Sequence, residues 1–145
     1  MLNIFIFNVT AWQLIKAIVG IHKANVCHRD LKPDNIVLRK RNGKVSLTVI
    51  DFNVALDLEK SDIISGNTGL KAWSAPETRS NPIYNNKCDI WSFGCLLYFM
   101  YAKRSPFNGM PSSEESTIEL LTDLQEKIIK EEKSAELIET LIHLL

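Results

Sequence analysis

The 145-residue chain is 46% hydrophobic and 23% charged, proportions that suit about one globular domain and exclude the collagen-like, disordered and disulfide-scaffold classes. Seventeen Lys and Arg offset seventeen Asp and Glu, so no whole-molecule field favours nucleic acid or anionic lipid, and any phosphate recognition falls to a local site. Cys27, Cys88 and Cys95 show no CxxC or CxxH spacing, which predicts buried, reduced thiols in a cytoplasmic or nuclear protein.

The opening segment, Met1 to Ile15, is uncharged and apolar at Leu2, Ile4, Phe5, Ile6 and Phe7. It lacks a basic n-region and a small-residue cleavage site, and Asn3, Asn8, Gln13 and Lys16 interrupt it before it spans a bilayer, so the expectation is a buried helix and no membrane segment. From Phe7 to Ala24 the residues Phe7, Ala11, Leu14, Ile15, Ile18, Val19, Ile21 and His22 recur at helical spacing, predicting one long helix that ends near Asn25 with these residues on its buried face. A polar loop follows from Arg29 to Asn35, and Pro33 excludes an uninterrupted helix through it.

Ile36 to Leu38 and Val45 to Ile50 read as two strands, and Asn42-Gly43 between them is the pair that best tolerates the positive φ of a tight hairpin. Residues 51–82, rich in Gly, Ser, Asn, Thr and Pro, read as one long structured loop. Cys88 to Tyr101 is apolar on every helical face and predicts a helix at the centre of the domain. A polar stretch from Lys103 to Ser116 then leads to a charged helix over Thr117 to Lys130 and another beginning at Ala135. The fold class expected is mainly α with a small β-hairpin.

His28, Arg29, Asp30, Lys32 and Asn35 gather a base, two cations, a carboxylate and a carboxamide in one loop, and the hairpin that follows ends on Asp51. A carboxylate and a carboxamide from neighbouring segments supply hard oxygen ligands suited to magnesium shared with phosphates. Asp30 is left free to receive or orient a hydroxyl proton, and phosphoryl transfer asks for little else beyond positioning and positive charge.

His28-Arg29-Asp30-Leu31-Lys32-Pro33-Asp34-Asn35 resembles the catalytic loop of eukaryotic protein kinases. It is followed in family order by Asp51-Phe52-Asn53, which resembles DFG, by Ala75-Pro76-Glu77, which matches APE, and by Asp89-Ile90-Trp91-Ser92-Phe93-Gly94, which resembles the F helix. Lys32-Pro33 is similar to the serine/threonine group. The resemblance implies that residues 1–145 are a protein-kinase-like C-terminal lobe, from the E helix to the start of the H helix, with the catalytic loop at 28–35, the activation segment at 51–77 and the F helix at about 88–101. It further implies transfer of the γ-phosphate of ATP to protein Ser/Thr hydroxyls with Mg2+.

Residue by residue, the resemblance makes Asp30 the catalytic base and Lys32 the cation on the transferred phosphoryl group, with Asn35 and Asp51 as magnesium ligands. Arg29 would pair with a phosphorylated residue of the activation segment, for which Ser65 and Thr68 are the candidates. His28 and Phe52 resemble the hydrophobic column that aligns the two kinase lobes, and a reading of both as core residues is equally true. Val37, Leu96 and Met100 fall where the family packs beneath the adenine ring, and core packing accounts for all three equally. Glu77 would pair with an Arg of the later helices, and Asp89 would accept backbone hydrogen bonds from the catalytic loop.

The family's glycine-rich loop, strand lysine and C-helix glutamate match nothing in these residues, which predicts a kinase fragment that needs an N-lobe or an activating partner. It also predicts an exposed apolar shelf at Phe52, His28 and Val37. Two substitutions depart from the family. Asn53 stands at the Gly of DFG, where Asn tolerates positive φ, and Leu70 stands where a Thr usually bonds the catalytic Asp. The alternative readings are a noncatalytic kinase fragment or pseudokinase acting as a scaffold, and a small-molecule phosphotransferase with a kinase-like fold.

Overall fold

The computed structural model describes residues 4–60, 72–80 and 84–107. Ser65, Thr68, Leu70 and the two helices expected after Ser116 lie outside the described residues. In chain order the elements are α1 (Ile4–Lys23), β1 (Val26–Cys27), a 3-10 turn (Pro33–Asn35), β2 (Ile36–Arg41), β3 (Lys44–Val49), β4 (Leu56–Asp57), α2 (Glu77–Ser80) and α3 (Lys87–Ala102).

The long first helix ends where the sequence places its end. Asn25 takes a left-handed φ of 54° and donates its N–H to the His22 carbonyl at 2.9 Å, as a helix-terminating Asn does. Ala11, Leu14, Ile15 and Ile18 form the buried stripe. Val19 corrects the expected buried face, because it is exposed. Positions 12, 16 and 19 share the outer side of a 3.6-residue helix, where Lys16 Nζ also lies 5.2 Å from the Trp12 ring centroid.

α3 is the packing centre. Phe93, Leu96 and Leu97 join the α1 stripe and Leu31 in one core cluster, while Cys88 joins Cys27, Ala75 and Tyr84 in a second. A helix buried on opposite sides has little polar surface to present, which is why its sequence shows none. Its N-terminus is served by Asn85 Oδ1, which accepts from Lys87 N at 2.9 Å. It closes on Lys103, whose left-handed backbone (φ 59°) lets its N–H reach the Phe99 carbonyl.

The hairpin forms on Asn42 (φ 50°) and Gly43 (φ 75°), both left-handed as a type I′ turn requires. The register pairs Arg41 with Lys44 and runs down to Ile36 opposite Val49. The strands therefore extend to the turn and stop one residue short of Ile50, unlike the sequence expectation. The long loop after residue 50 holds an unexpected strand: β4 pairs antiparallel with β1, Val26 opposite Asp57 and Cys27 opposite Leu56.

The hairpin packs on the α1 core through Ile36, Leu47 and Val49, and one α1 side chain also hydrogen-bonds it. Gln13 Nε2 donates to the Val45 carbonyl at 2.8 Å and its Oε1 accepts from Leu47 N at 2.8 Å, so one amide satisfies both backbone groups on the open edge of β3. Gln13→Ala is expected to lower stability by about 1–3 kcal/mol and to speed amide exchange at Leu47, as read by urea unfolding and hydrogen exchange.

Candidate active site

The loop from His28 to Asn35 is fixed from below by a buried carboxylate. Asp89, 1% exposed in the first turn of α3, accepts His28 N on Oδ2 and Arg29 N on Oδ1, each at 2.9 Å. His22 Nε2, from the last turn of α1, reaches Oδ2 at 2.8 Å. A charge at this depth requires such partners, and three donors from two elements supply them. The bonds to two successive amides coincide with a left-handed backbone at Arg29 (φ 69°), a conformation a non-glycine residue keeps only where its surroundings impose it.

His28 is a second fastening. Asp30 N donates to Nδ1 at 3.3 Å, and Nε2 lies 3.1 Å from the Ile50 carbonyl. An amide only donates and a carbonyl only accepts, so the imidazole carries its proton on Nε2. The ring has no exposed surface and packs 4.7 Å from the Phe52 ring, tilted by 60°. This corrects the expected shelf: Phe52 is 46% exposed and Val37 half-buried, but His28 is withdrawn beneath them by its two backbone bonds. Leu31, buried in the first core cluster, anchors the middle of the loop with about 1.5–3 kcal/mol of burial.

With the backbone held, the polar side chains converge. Lys32 Nζ lies 2.6 Å from Asp30 Oδ2. Asn35 Nδ2 donates to the Asp30 carbonyl at 2.7 Å and lies 3.1 Å from Oδ2. Asp30 is thereby aimed by both neighbours through one carboxylate oxygen, and neither bond engages Oδ1. Asn35 is buried, while Asp30 and Lys32 are half-buried.

The hairpin brings the second acid to the loop. Because Ile36 pairs with Val49, the chain re-emerges beside Asn35, and Ile50 N donates to the Asn35 carbonyl at 2.9 Å. Asp51 is the next residue. It is exposed, sits in the left-handed region at φ 66°, and Asn53 N approaches its Oδ1 at 3.4 Å. The left-handed position is Asp51 and not Asn53, so Asn replaces Gly at 53 without a positive-φ penalty, contrary to the reason expected from sequence.

Arg29 follows the Asp89 clamp, and its expected phosphorylated partners lie outside the described residues. Glu77 opens α2 half-buried and forms no ion pair among the described residues. Leu96 is core, and Met100 packs against the same cluster. Three contributors escaped the sequence reading: Gln13, His22 and the β1–β4 pair. A polar residue between Trp12 and Leu14 was the available signal for Gln13. His22 had none, since the helical pattern assigned it to core. Strands of two residues are too short for periodicity to detect.

Comparison with known proteins gives the geometry its context. The family model for the protein kinase domain matches residues 5–145. Calcium-dependent protein kinase 4 of Plasmodium falciparum is 39% identical over 98 residues, covering 67% of this chain and 18% of that protein. Calcium-dependent protein kinase 6 of Plasmodium berghei is 40% identical over 99 residues, 68% of this chain and 6% of that protein. Serine/threonine-protein kinase ppk34 of Schizosaccharomyces pombe is 41% identical over 100 residues, 67% and 27% of the two chains. Each of these alignments thus takes in well under a third of the relative's length.

Proposed function

Since the chain belongs to the protein kinase family, we propose that residues 1–145 are part of a serine/threonine protein kinase catalytic domain and carry the phosphotransfer side of its active site. The observation that supports this most is the fastening of Asp30 by Lys32 Nζ at 2.6 Å and by Asn35 Nδ2, with Asp51 delivered alongside by the Ile50–Asn35 bond. The relatives named above as a serine/threonine kinase and as protein kinases agree with it. So does the Lys32-Pro33 pair.

The family generally uses ATP and Mg2+, and the donor set fits the ion. Asn35 Nδ2 is committed to Asp30, which leaves its amide oxygen as a hard ligand. Asp51, one residue beyond the Ile50 N bond to the Asn35 carbonyl, presents an exposed carboxylate. Two oxygen ligands from protein, with the rest from phosphates and water, is the usual arrangement for this ion. When bound, Mg2+ neutralises charge on the phosphate oxygens.

The chain's own residues then act as follows. Asp30 accepts the proton of a substrate Ser or Thr hydroxyl as its oxygen forms the new bond to the γ-phosphorus and the bond to the β-phosphate oxygen breaks, releasing ADP. Lys32, whose ammonium has donors beyond the one on Asp30, pairs with the transferred phosphoryl oxygens. His28 and Asp89 touch no reactant and position the loop.

No helix among the described residues is long and apolar enough to cross a membrane. Three free, buried thiols support a reading of a reducing compartment, cytoplasm or nucleus. Its partners are a protein substrate and ATP, with the glycine-rich loop and strand lysine coming from an N-lobe or an activating partner outside these residues.

The test is the Mg2+ dependence of peptide phosphorylation by a domain completed with a kinase N-lobe. Ser and Thr peptides are expected to be substrates and Tyr peptides not. Asp51→Asn is expected to raise the Mg2+ needed for half-maximal rate by about 10- to 100-fold. An unchanged Mg2+ requirement would remove Asp51 from the metal site.

A further inference from the structure

Cys27 ends β1 and Cys88 is the second residue of α3. Their sulfur atoms are 3.6 Å apart across 61 residues of sequence. Both are buried, Cys27 completely and Cys88 at 3% exposure, and the phosphotransfer scheme uses neither. Each directly precedes a member of the loop clamp, Cys27 the amide of His28 and Cys88 the carboxylate of Asp89. The two sulfurs need to close by roughly 1.5 Å to reach the disulfide bond length of about 2.05 Å. Their elements are already held together by the Asp89 bonds to His28 and Arg29, so folding has brought a dithiol to near-bonding distance at the base of the catalytic loop.

We propose that Cys27 and Cys88 form a redox-sensitive dithiol that hydrogen peroxide converts to a disulfide, stapling β1 to the start of α3 directly beneath the catalytic loop. The reaction runs in two balanced steps. The Cys88 sulfur, as thiolate, attacks one peroxide oxygen; the O–O bond breaks, and hydroxide departs and is protonated to water, leaving Cys88 as a sulfenic acid. The Cys27 sulfur then forms the S–S bond as the S–O bond breaks, and the departing hydroxyl leaves as a second water with the thiol proton. Two thiols lose two electrons in all, and one peroxide is reduced to two waters.

The order of attack follows from the surroundings. Cys88 is the more exposed residue of the two. The hydrogen bond to Cys88, burial and the negative charge of Asp89 all push the Cys27 thiol up, which keeps it protonated and makes it the second to react. Cys95, two turns further along α3 and also buried, is an internal control, since burial pushes its thiol up to about 12 and its sulfur is not part of the pair. Because all three are buried, oxidation proceeds through local opening and is slow compared with that of a surface thiol.

The experiment uses the whole 145-residue chain. The folded protein is treated with hydrogen peroxide, the remaining thiols are alkylated, and the chain is digested without reductant for mass spectrometry. The expected result is a linked peptide pair containing Cys27 and Cys88, lighter by two hydrogens than the reduced pair, with Cys95 recovered alkylated. Dithiothreitol reverses the link, and the oxidised protein unfolds at a higher temperature than the reduced one. In Cys27→Ala the link is absent and Cys88 accumulates as sulfenic or sulfinic acid, whereas Cys95→Ala oxidises like the parent. Recovery of Cys27 as a free thiol while Cys88 is overoxidised in the parent protein would overturn the proposal. So would cross-linking dominated by Cys95 or by bonds between molecules. The linked peptides are read on the parent chain, so the outcome does not depend on any variant folding.

Discussion

Asp89→Ala is expected to destabilise the folded chain by about 2–5 kcal/mol, the cost of leaving the loop amides it accepts without a partner. The carboxylate is 1% exposed and accepts His28 N, Arg29 N and His22 Nε2, so its loss leaves the buried His28 amide and the half-buried Arg29 amide and His22 ring without their acceptor. Each orphaned neutral donor costs about 1–3 kcal/mol. Asp89→Asn retains one acceptor oxygen and introduces an NH2 group against donors, so it is expected to fall between the parent and the alanine variant. Urea unfolding gives the energies, and hydrogen exchange at residues 28 and 29 locates them. A loss under about 1 kcal/mol with both amides still protected would show that Asp89 does not hold the loop.

The second large effect is on rate. In a domain completed with an N-lobe, Asp30→Asn is expected to lower kcat by about 10²- to 10⁴-fold, the range for loss of a general base, with a much smaller change in KM. The asparagine keeps the shape and retains an oxygen for Lys32 and Asn35, which meet the parent carboxylate at 2.6 and 3.1 Å. It no longer accepts a full proton. Steady-state kinetics on a Ser peptide separates the outcomes: a rise in KM at unchanged kcat would make Asp30 a binding residue instead of the base.

Much of the architecture was legible because single residues or long patterns dictate it. Asn42-Gly43 forced the hairpin, and the absence of a polar face on Cys88 to Tyr101 placed that helix at the centre. The spacing from His28 to Asn35, with Pro33 inside it, marks the loop. What sequence could not supply were contacts that depend on three-dimensional register. The Gln13 bridge exists because β3 lies over α1 with Val45 and Leu47 offering one carbonyl and one amide.

His28 read both as a core residue and as part of an exposed shelf; the structure supports the first, with two backbone bonds 22 and 2 residues away holding the buried ring. The left-handed residue of the Asp51-Phe52-Asn53 turn is the acid and not the asparagine. All three cysteines are buried, as read from the sequence, but nothing in their spacing announced that Cys27 and Cys88 would meet.

The deciding measurement is phosphate transfer from ATP to a Ser/Thr peptide, with and without Mg2+, by the 145-residue chain alone and by the same chain completed with a kinase N-lobe. On the proposed roles, positioning of the nucleotide needs the phosphate-covering loop and the strand lysine as well as Asp30, Lys32, Asn35 and Asp51. Background transfer is therefore expected from the chain alone, and Mg2+-dependent transfer that Asp30→Asn abolishes from the completed domain. Robust transfer by the chain alone, or transfer by the completed domain that survives Asp30→Asn, would contradict the roles assigned to these residues.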